Sequence, residues 1–132
     1  MVHTNVSKLH KLFYYWLPVF FYCLLIFIQS SYPAHEQIPG WSYFDKFLHF
    51  VCYAILGALF YRAFNTSRIK ENLNLVVMLS IVCSSLYGIS DELHQHLVPY
   101  RFAEVTDALA NILGGVCGVY VYKLFIIKSS KI

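Results

Sequence analysis

Three short segments of the sequence concentrate side chains that can donate, accept or hold a proton. They supply Asp45, Lys46 and His49, then Asp91, Glu92, His94, Gln95 and Arg101, and finally Asp107 and Asn111. Histidine and carboxylate side chains are common general acids and bases, whereas lysine and arginine suit phosphate and carboxylate groups. The pattern therefore predicts either a binding site for a polar headgroup or an acid–base site, whose catalytic candidates are Asp91, Glu92 and His49.

A metal centre is a variant of the acid–base hypothesis. His49, His94 or His96 could supply ligands together with the carboxylates, but the sequence has no HExxH or CxxC spacing. It also has no serine-nucleophile motif and no glycine loop of the kind that holds phosphate. We therefore predict no metal and no other cofactor.

The composition indicates where such a site would lie. Hydrophobic residues make up 58% of the 132 residues and charged residues only 13%, against about 25% charged in soluble domains. The mean hydropathy is +0.56. A soluble chain this short could not bury so much apolar surface. The net charge of +3 is too small to indicate nucleic-acid binding, so membrane lipids are the expected surroundings.

Four apolar runs divide the chain. They cover 12–28, 47–61, 73–89 and 108–127, and each is close to the roughly 20 residues of a bilayer-spanning helix. We predict one all-α membrane domain over 1–132, a four-helix transmembrane bundle with helices near 12–30, 46–64, 73–91 and 106–127. The first run is too long for the apolar core of a signal peptide and lacks an A-x-A-like site, so we expect it to be retained.

The charges predict an orientation for this bundle. Eight of the ten basic residues would lie on one side: Lys8, Lys11, Arg62, Arg68, Lys70, Lys123, Lys128 and Lys131. Six of the seven acids would lie on the other: Glu36, Asp45, Asp91, Glu92, Glu104 and Asp107. The positive-inside rule then places both termini in the cytoplasm and the polar segments at the outer face of the cytoplasmic membrane.

Some of these polar residues also have a structural interpretation. Asp45 and Asp107 would open helices, where a carboxylate caps free amides and opposes the helix dipole. Asp91 and Glu92 would close a helix, where the dipole disfavours them. They require donors from elsewhere, so we predict one cluster of Asp91, Glu92, His49, Arg101, Asp107 and Asn111, with Lys46 at its rim.

Small residues predict how the helices meet. Gly114 and Gly118 form a GxxxG pair, and Ala54 and Ala58 a similar pair on the second helix. Such faces allow close approach between membrane helices. We expect them to pack the second helix against the fourth and to bring Asn111 toward His49; a homodimer seam is the alternative use of the same residues.

Taken together, the motifs resemble the VanZ-like family. Asp45-Lys46-Phe47-Leu48-His49-Phe50 with Tyr53 is similar to its DKxxHFxxY motif. The segment 90–95, SDELHQ, followed by Pro99 and Arg101, is similar to its SDExHQ...PxR motif, and Asp107, Asn111 and Gly114 match DxxxNxxG. The resemblance covers nearly the whole chain.

This resemblance implies a small multi-pass bacterial membrane protein with a role in the cell envelope, since a named member is associated with low-level teicoplanin resistance. It implies no particular reaction. We therefore keep two hypotheses: a protein that binds a lipid headgroup, a lipid-linked cell-wall glycan or a lipophilic glycopeptide, and a membrane-embedded hydrolase or transferase acting on a lipid-linked substrate. A transporter is disfavoured because four helices without an internal repeat make a poor alternating-access device.

Overall fold

A computed structural model of the protein describes the backbone of 2–33, 41–99, 101 and 103–129, and the side chains of 9–33, 43–99, 101 and 103–129. Within those ranges the chain is all-helical and has no strand. The helices are α1 (Val2–Ser30), α2 (Trp41–Phe64), α3 (Leu73–Gln95) and α4 (Val105–Ser129). Glu36 and Lys131, and the side chain of Lys8, lie outside the described residues, so their placement stays a prediction.

All four helices are long and apolar enough to cross a bilayer, over Leu9–Ser30, Tyr43–Phe64, Leu73–Gln95 and Val105–Ser129. Large apolar side chains in the middle of the helices point outward; Phe20, Leu86 and Leu113 are each about 60% exposed. Water would penalise such a surface, whereas lipid solvates it. The predicted four-helix transmembrane architecture is confirmed, and its orientation stays a prediction.

The helices extend beyond their predicted limits at the polar ends. α1 begins ten residues before the predicted residue 12, α2 begins at Trp41 rather than 46, and α3 continues four residues past 91. The predicted limits follow the apolar runs, and an apolar run covers only the part of a helix that lies in the hydrocarbon core of the bilayer. A helix continues through polar residues of adequate propensity until a cap or a proline ends it.

α2 and α4 make the most extensive interhelical contact of the described residues. A Cβ atom built on Gly118 would overlap the carbonyl oxygen of Ala54, and one on Gly114 would overlap that of Phe50. One on Gly57 would likewise overlap the carbonyl oxygen of Gly115. The small faces therefore bring the two backbones together, as expected.

α1 lies at the edge of the bundle and, within the described ranges, contacts α2 and α3 but not α4. Two tyrosines attach it through backbone carbonyls: Tyr22 Oη donates to the oxygen of Cys52 at 3.1 Å, and Tyr87 Oη to that of Cys23 at 2.6 Å. α2, α3 and α4 thus form a three-helix core. We call the end where α1 and α3 finish and α2 and α4 begin the site end.

Candidate functional site

Five polar side chains are buried together at the site end, although hydrocarbon lies close by. Their exposed fractions are 8% for His49, 6% for Asp91, 5% for Glu92, 5% for Asp107 and 0% for Asn111. Buried polar groups need partners, because each loses its hydration without compensation otherwise. Hydrogen bonds between α2, α3 and α4 supply most of those partners.

Asn111 joins the three helices. Its Oδ1 lies 2.9 Å from His49 Nδ1 on α2, and its Nδ2 donates to Glu92 Oε1 on α3 at 3.2 Å. His49 Nδ1 also lies 3.6 Å from Glu92 Oε1. A Cβ atom on Gly88 would approach the Asn111 Cβ to 2.8 Å, so a glycine here lets α4 come close enough for these bonds. His49, Asn111 and Glu92 therefore form one buried unit.

Asp91 has its own pair of donors. Tyr53 Oη donates to Asp91 Oδ2 at 3.1 Å, and Gln95 Nε2 donates to the same oxygen at 3.2 Å. Tyr53 is 1% exposed, and it lies one helical turn beyond His49 on the same face of α2. Both donors are neutral, so they orient the Asp91 carboxylate without balancing its charge.

Lys46 forms the rim of the site. Its Nζ donates to Glu104 Oε2 at 2.6 Å and to Asp107 Oδ1 at 2.9 Å. The hydrogen bond from Lys46, with a second from the Thr106 hydroxyl, holds the pKa of Glu104 below its usual range. Asp107 lies in the first turn of α4, as predicted.

Asp45 does not open its helix, so the capping interpretation is wrong for this residue. It lies more than one turn inside α2, which begins at Trp41. Its Oδ2 is 3.8 Å from His49 Nε2, on the opposite edge of the imidazole ring from Asn111. Asp45 is therefore placed to influence which ring nitrogen of His49 carries the proton.

Arg101 is predicted to join this cluster, and His94 and His96 to be possible metal ligands, but the structure places all three elsewhere. Arg101 Nη1 donates to the backbone oxygen of Ser30 at 2.9 Å, and none of the described contacts joins it to Asp91 or Glu92. His94 Nε2 lies 3.0 Å from Ser31 Oγ. His96 caps α3 with its backbone and is exposed. Arg101 bonds to the end of α1 because the last carbonyl groups of a helix have no donor within the helix and accept hydrogen bonds from other side chains.

Two participants were missed as site residues. Tyr53 could have been found from its position four residues after His49, which places both on one helix face. Glu104 comes just before α4, and its pairing with Lys46 depends on how the connection between α3 and α4 folds. Local spacing carries no signal for that contact.

Two groups of side chains have the chemistry to hold a metal ion, and they share His49. One is Asp45, His49 and Asp107; the other is His49, Asp91 and Glu92. In each group the ligand atoms lie within 4.8 Å of one another. The same residues can also act as acid and base, since a histidine and a carboxylate are in contact.

Comparison with known families supports the motif analysis. The family model described as VanZ/LLP1 matches residues 4–126. The chain belongs to the VanZ/LLP1 family. The match includes α2, α3 and nearly all of α4, and hence every residue of the buried site.

The chain is also similar to a protein of Schizosaccharomyces pombe. This fission-yeast protein, named "Uncharacterized protein C11E3.10", is 29% identical over 91 residues, which cover 69% of this chain and 54% of the relative. The chain thus spans about half the length of the curated relative that it matches. No solved structure matches the chain.

Proposed function

We propose that this VanZ/LLP1 protein binds a membrane-associated ligand at the polar site between α2, α3 and α4. The observation that supports this most directly is the unit of His49, Asn111 and Glu92, which is buried beside hydrocarbon. Packing alone does not require such a unit, because apolar side chains stabilise buried contacts at least as well as ionic ones. Ionisable groups at membrane depth are therefore functional candidates.

The ligand classes follow from the site's position at the end of a lipid-exposed bundle. A lipid headgroup, a lipid-linked cell-wall glycan and a lipophilic glycopeptide each combine an apolar anchor with polar groups. Lys46 stands at the rim, where its side chain is 28% exposed, and it can exchange Glu104 for a ligand oxygen. The buried carboxylates favour hydroxyl or amine donors on the ligand.

The cellular setting is part of the proposal. The distribution of basic residues supports an orientation with both termini in the cytoplasm and the site at the outer face of the cytoplasmic membrane. A bacterial envelope role, including an effect on teicoplanin susceptibility, follows from resemblance to the VanZ-like proteins. The homologue in fission yeast favours a ligand chemistry that membranes share over one confined to the bacterial cell wall.

Binding can be measured with the purified protein in phosphatidylcholine nanodiscs. The probes are teicoplanin, undecaprenyl diphosphate and phosphatidylethanolamine. We expect at least one to bind, with its Kd raised at least tenfold by Asp91→Asn or Glu92→Gln. Glu71→Gln is the matched control, because Glu71 is an exposed acid at the opposite end of the bundle. Failure of all three probes, or equal binding by every variant, would contradict the proposal.

A membrane-embedded hydrolase or transferase is the second candidate. The contact of His49 with Glu92 supports it, because the imidazole and carboxylate can divide the roles of acid and base. Incubation with undecaprenyl diphosphate, followed by mass spectrometry of the lipid, tests this. Conversion of the lipid that disappears in the His49→Gln variant would support an enzyme. If the lipid binds but stays unchanged, the binding hypothesis is favoured over the enzyme.

A further inference from the structure

Among the described residues of the buried site, two carboxylates, Asp91 and Glu92, have one possible positive partner, the imidazole of His49, whose Nδ1 lies 3.6 Å from Glu92 Oε1. Within the described part of the chain, Asp91 accepts from the neutral donors Tyr53 and Gln95, and Glu92 accepts from the neutral amide of Asn111. The ammonium of Lys46 bonds instead to Asp107 and Glu104. A protonated His49 would balance one of the two carboxylates, so the site keeps an excess negative charge, which lies at the negative end of the α3 dipole. Buried charges of this kind require a positive partner.

Glu92 also carries an unsatisfied atom. Its Oε2 is buried and has no hydrogen-bond partner among the described residues. The Glu92 side chain as a whole is only 7% exposed, so bulk water does not solvate this oxygen. Protonation of this oxygen would remove its charge but would leave a buried O–H donor that needs an acceptor. A cation at this position would satisfy the oxygen and reduce the excess negative charge.

The surrounding atoms suit a metal ion. His49, Asp91 and Glu92 offer ligand atoms within 4.8 Å of one another. The 2.9 Å between His49 Nδ1 and Asn111 Oδ1 is close to the separation of about 3 Å between neighbouring ligands of an octahedral ion such as Mn²⁺, with bonds of ~2.1 Å. An ion that replaces the Nδ1 proton would keep both atoms as ligands.

The remaining ring nitrogen has a suitable partner. His49 Nε2 faces Asp45 Oδ2 at 3.8 Å, so the ring proton can move to Nε2 and point toward a carboxylate. Histidine ligands of metal ions are commonly held in this way. The other group, Asp45, His49 and Asp107, is less suited, because Lys46 already neutralises Asp107.

We propose that a divalent transition-metal ion, of the zinc or manganese type, binds between His49, Asp91 and Glu92, with Asn111 Oδ1 as a further ligand. Mixed imidazole and carboxylate ligands favour these ions. This inference rests on the proposed function, since it assigns the ion to the same site. The ion would let this cluster of acidic side chains hold a phosphate or hydroxyl oxygen of the ligand.

The ion is tested on detergent-purified protein that has been stripped with EDTA and then titrated with ZnCl₂ or MnCl₂. Calorimetry and elemental mass spectrometry should give about one ion per chain, because the proposed ligands form a single set with room for an oxygen of the bound ligand. Glu92→Gln and His49→Gln should each raise the Kd at least tenfold, while Glu71→Gln retains the wild-type value. Absence of binding, or equal binding by all variants, would overturn the inference.

A spectroscopic measurement avoids dependence on variants that fail to fold. Pulsed electron paramagnetic resonance of the Mn²⁺-loaded wild-type protein should detect nitrogen coupling from one imidazole ligand. A spectrum without nitrogen coupling would exclude His49 as a ligand and overturn the inference.

The two proposals fail separately. If the nanodisc probes bind equally well with EDTA and no ion binds, the metal site is wrong and the ligand site remains. If the ion binds as described but no probe binds in its presence, the metal site remains and the proposed ligand classes are wrong.

Discussion

His49 Nδ1 lies 2.9 Å from Asn111 Oδ1, and this contact joins α2 to α4 across 62 residues of sequence. The other end of the same amide reaches Glu92 on α3. The Asn111 side chain therefore holds His49 and Glu92 in position relative to each other. The site depends on the packing of three helices rather than on any one motif.

We predict that Asn111→Leu destabilises the protein by about 1–3 kcal/mol, because it leaves buried His49 and Glu92 without their amide partner. Unfolding in mixed micelles, followed by circular dichroism, measures this. Asn74→Leu is the control, since Asn74 is an exposed asparagine on α3. Equal stability of both variants would show that the contact is dispensable.

Gly118→Leu should cost roughly 1–3 kcal/mol or more through overpacking. The new side chain would meet the backbone of Ala54, which cannot rotate away. Gly114→Leu and Ala54→Leu should behave in the same way. Cys117→Leu, at the neighbouring exposed position of α4, should melt close to the wild type. Wild-type melting of the glycine variants would contradict the close approach of α2 and α4.

Arg101→Lys tests the corrected position of Arg101. Because its guanidinium bonds to the Ser30 carbonyl, we expect the substitution to loosen the end of α1 and to leave ligand binding within about threefold of the wild type. Limited proteolysis near residue 33 should accelerate. A tenfold loss of binding with unchanged proteolysis would restore Arg101 to the site.

The ion pair of Lys46 with Glu104 predicts that the stability of the fold depends on pH. The pKa of Glu104 is lowered in the folded state by its bonds to Lys46 and Thr106. Ionised Glu104 therefore stabilises the fold above its unfolded pKa of about 4.3, and the stabilisation disappears as the pH falls through the lower folded pKa. The melting temperatures of wild type and Glu104→Gln should differ at pH 7 and converge near pH 3. A gap that persists at pH 3 would refute this role of the carboxylate.

Orientation is tested with reporter fusions. A reporter active only outside the cytoplasm should work when fused after Gly40 and fail after Ser67, since eight of ten basic residues favour the second side. The reverse pattern would move the polar site to the cytoplasmic face, and with it the class of ligand that it can meet.

Much of this arrangement could be predicted from the sequence, because lipid imposes a simple rule. A run of apolar residues must form a helix that satisfies its own backbone, so the number of helices follows from the hydropathy. The spacing of Gly114 and Gly118 predicts a close contact, and Asn111 then falls opposite His49. Periodicity alone carries this information.

The remaining contacts depend on three-dimensional details that periodicity does not encode. Arg101 was expected to fold back on Asp91, but the carbonyl of Ser30 is its acceptor. The last carbonyl groups of every helix need donors from outside the helix. Which side chain donates to which carbonyl depends on how the helices pack. The start of α2 at Trp41 also differs from the prediction. The apolar run marks only the part of the helix that lies in the hydrocarbon, and the helix itself extends beyond that run.

During synthesis α2 and α3 emerge before α4, because the chain is made from its N-terminus. At that stage His49, Asp91 and Glu92 stand at the edge of hydrocarbon without Asn111, which later joins α2 to α3. Exposure of these groups to lipid is costly, so we expect α2 and α3 to stay at the insertion machinery until α4 arrives. We therefore expect the polar site to make insertion of α2, α3 and α4 a cooperative step of membrane-protein biogenesis.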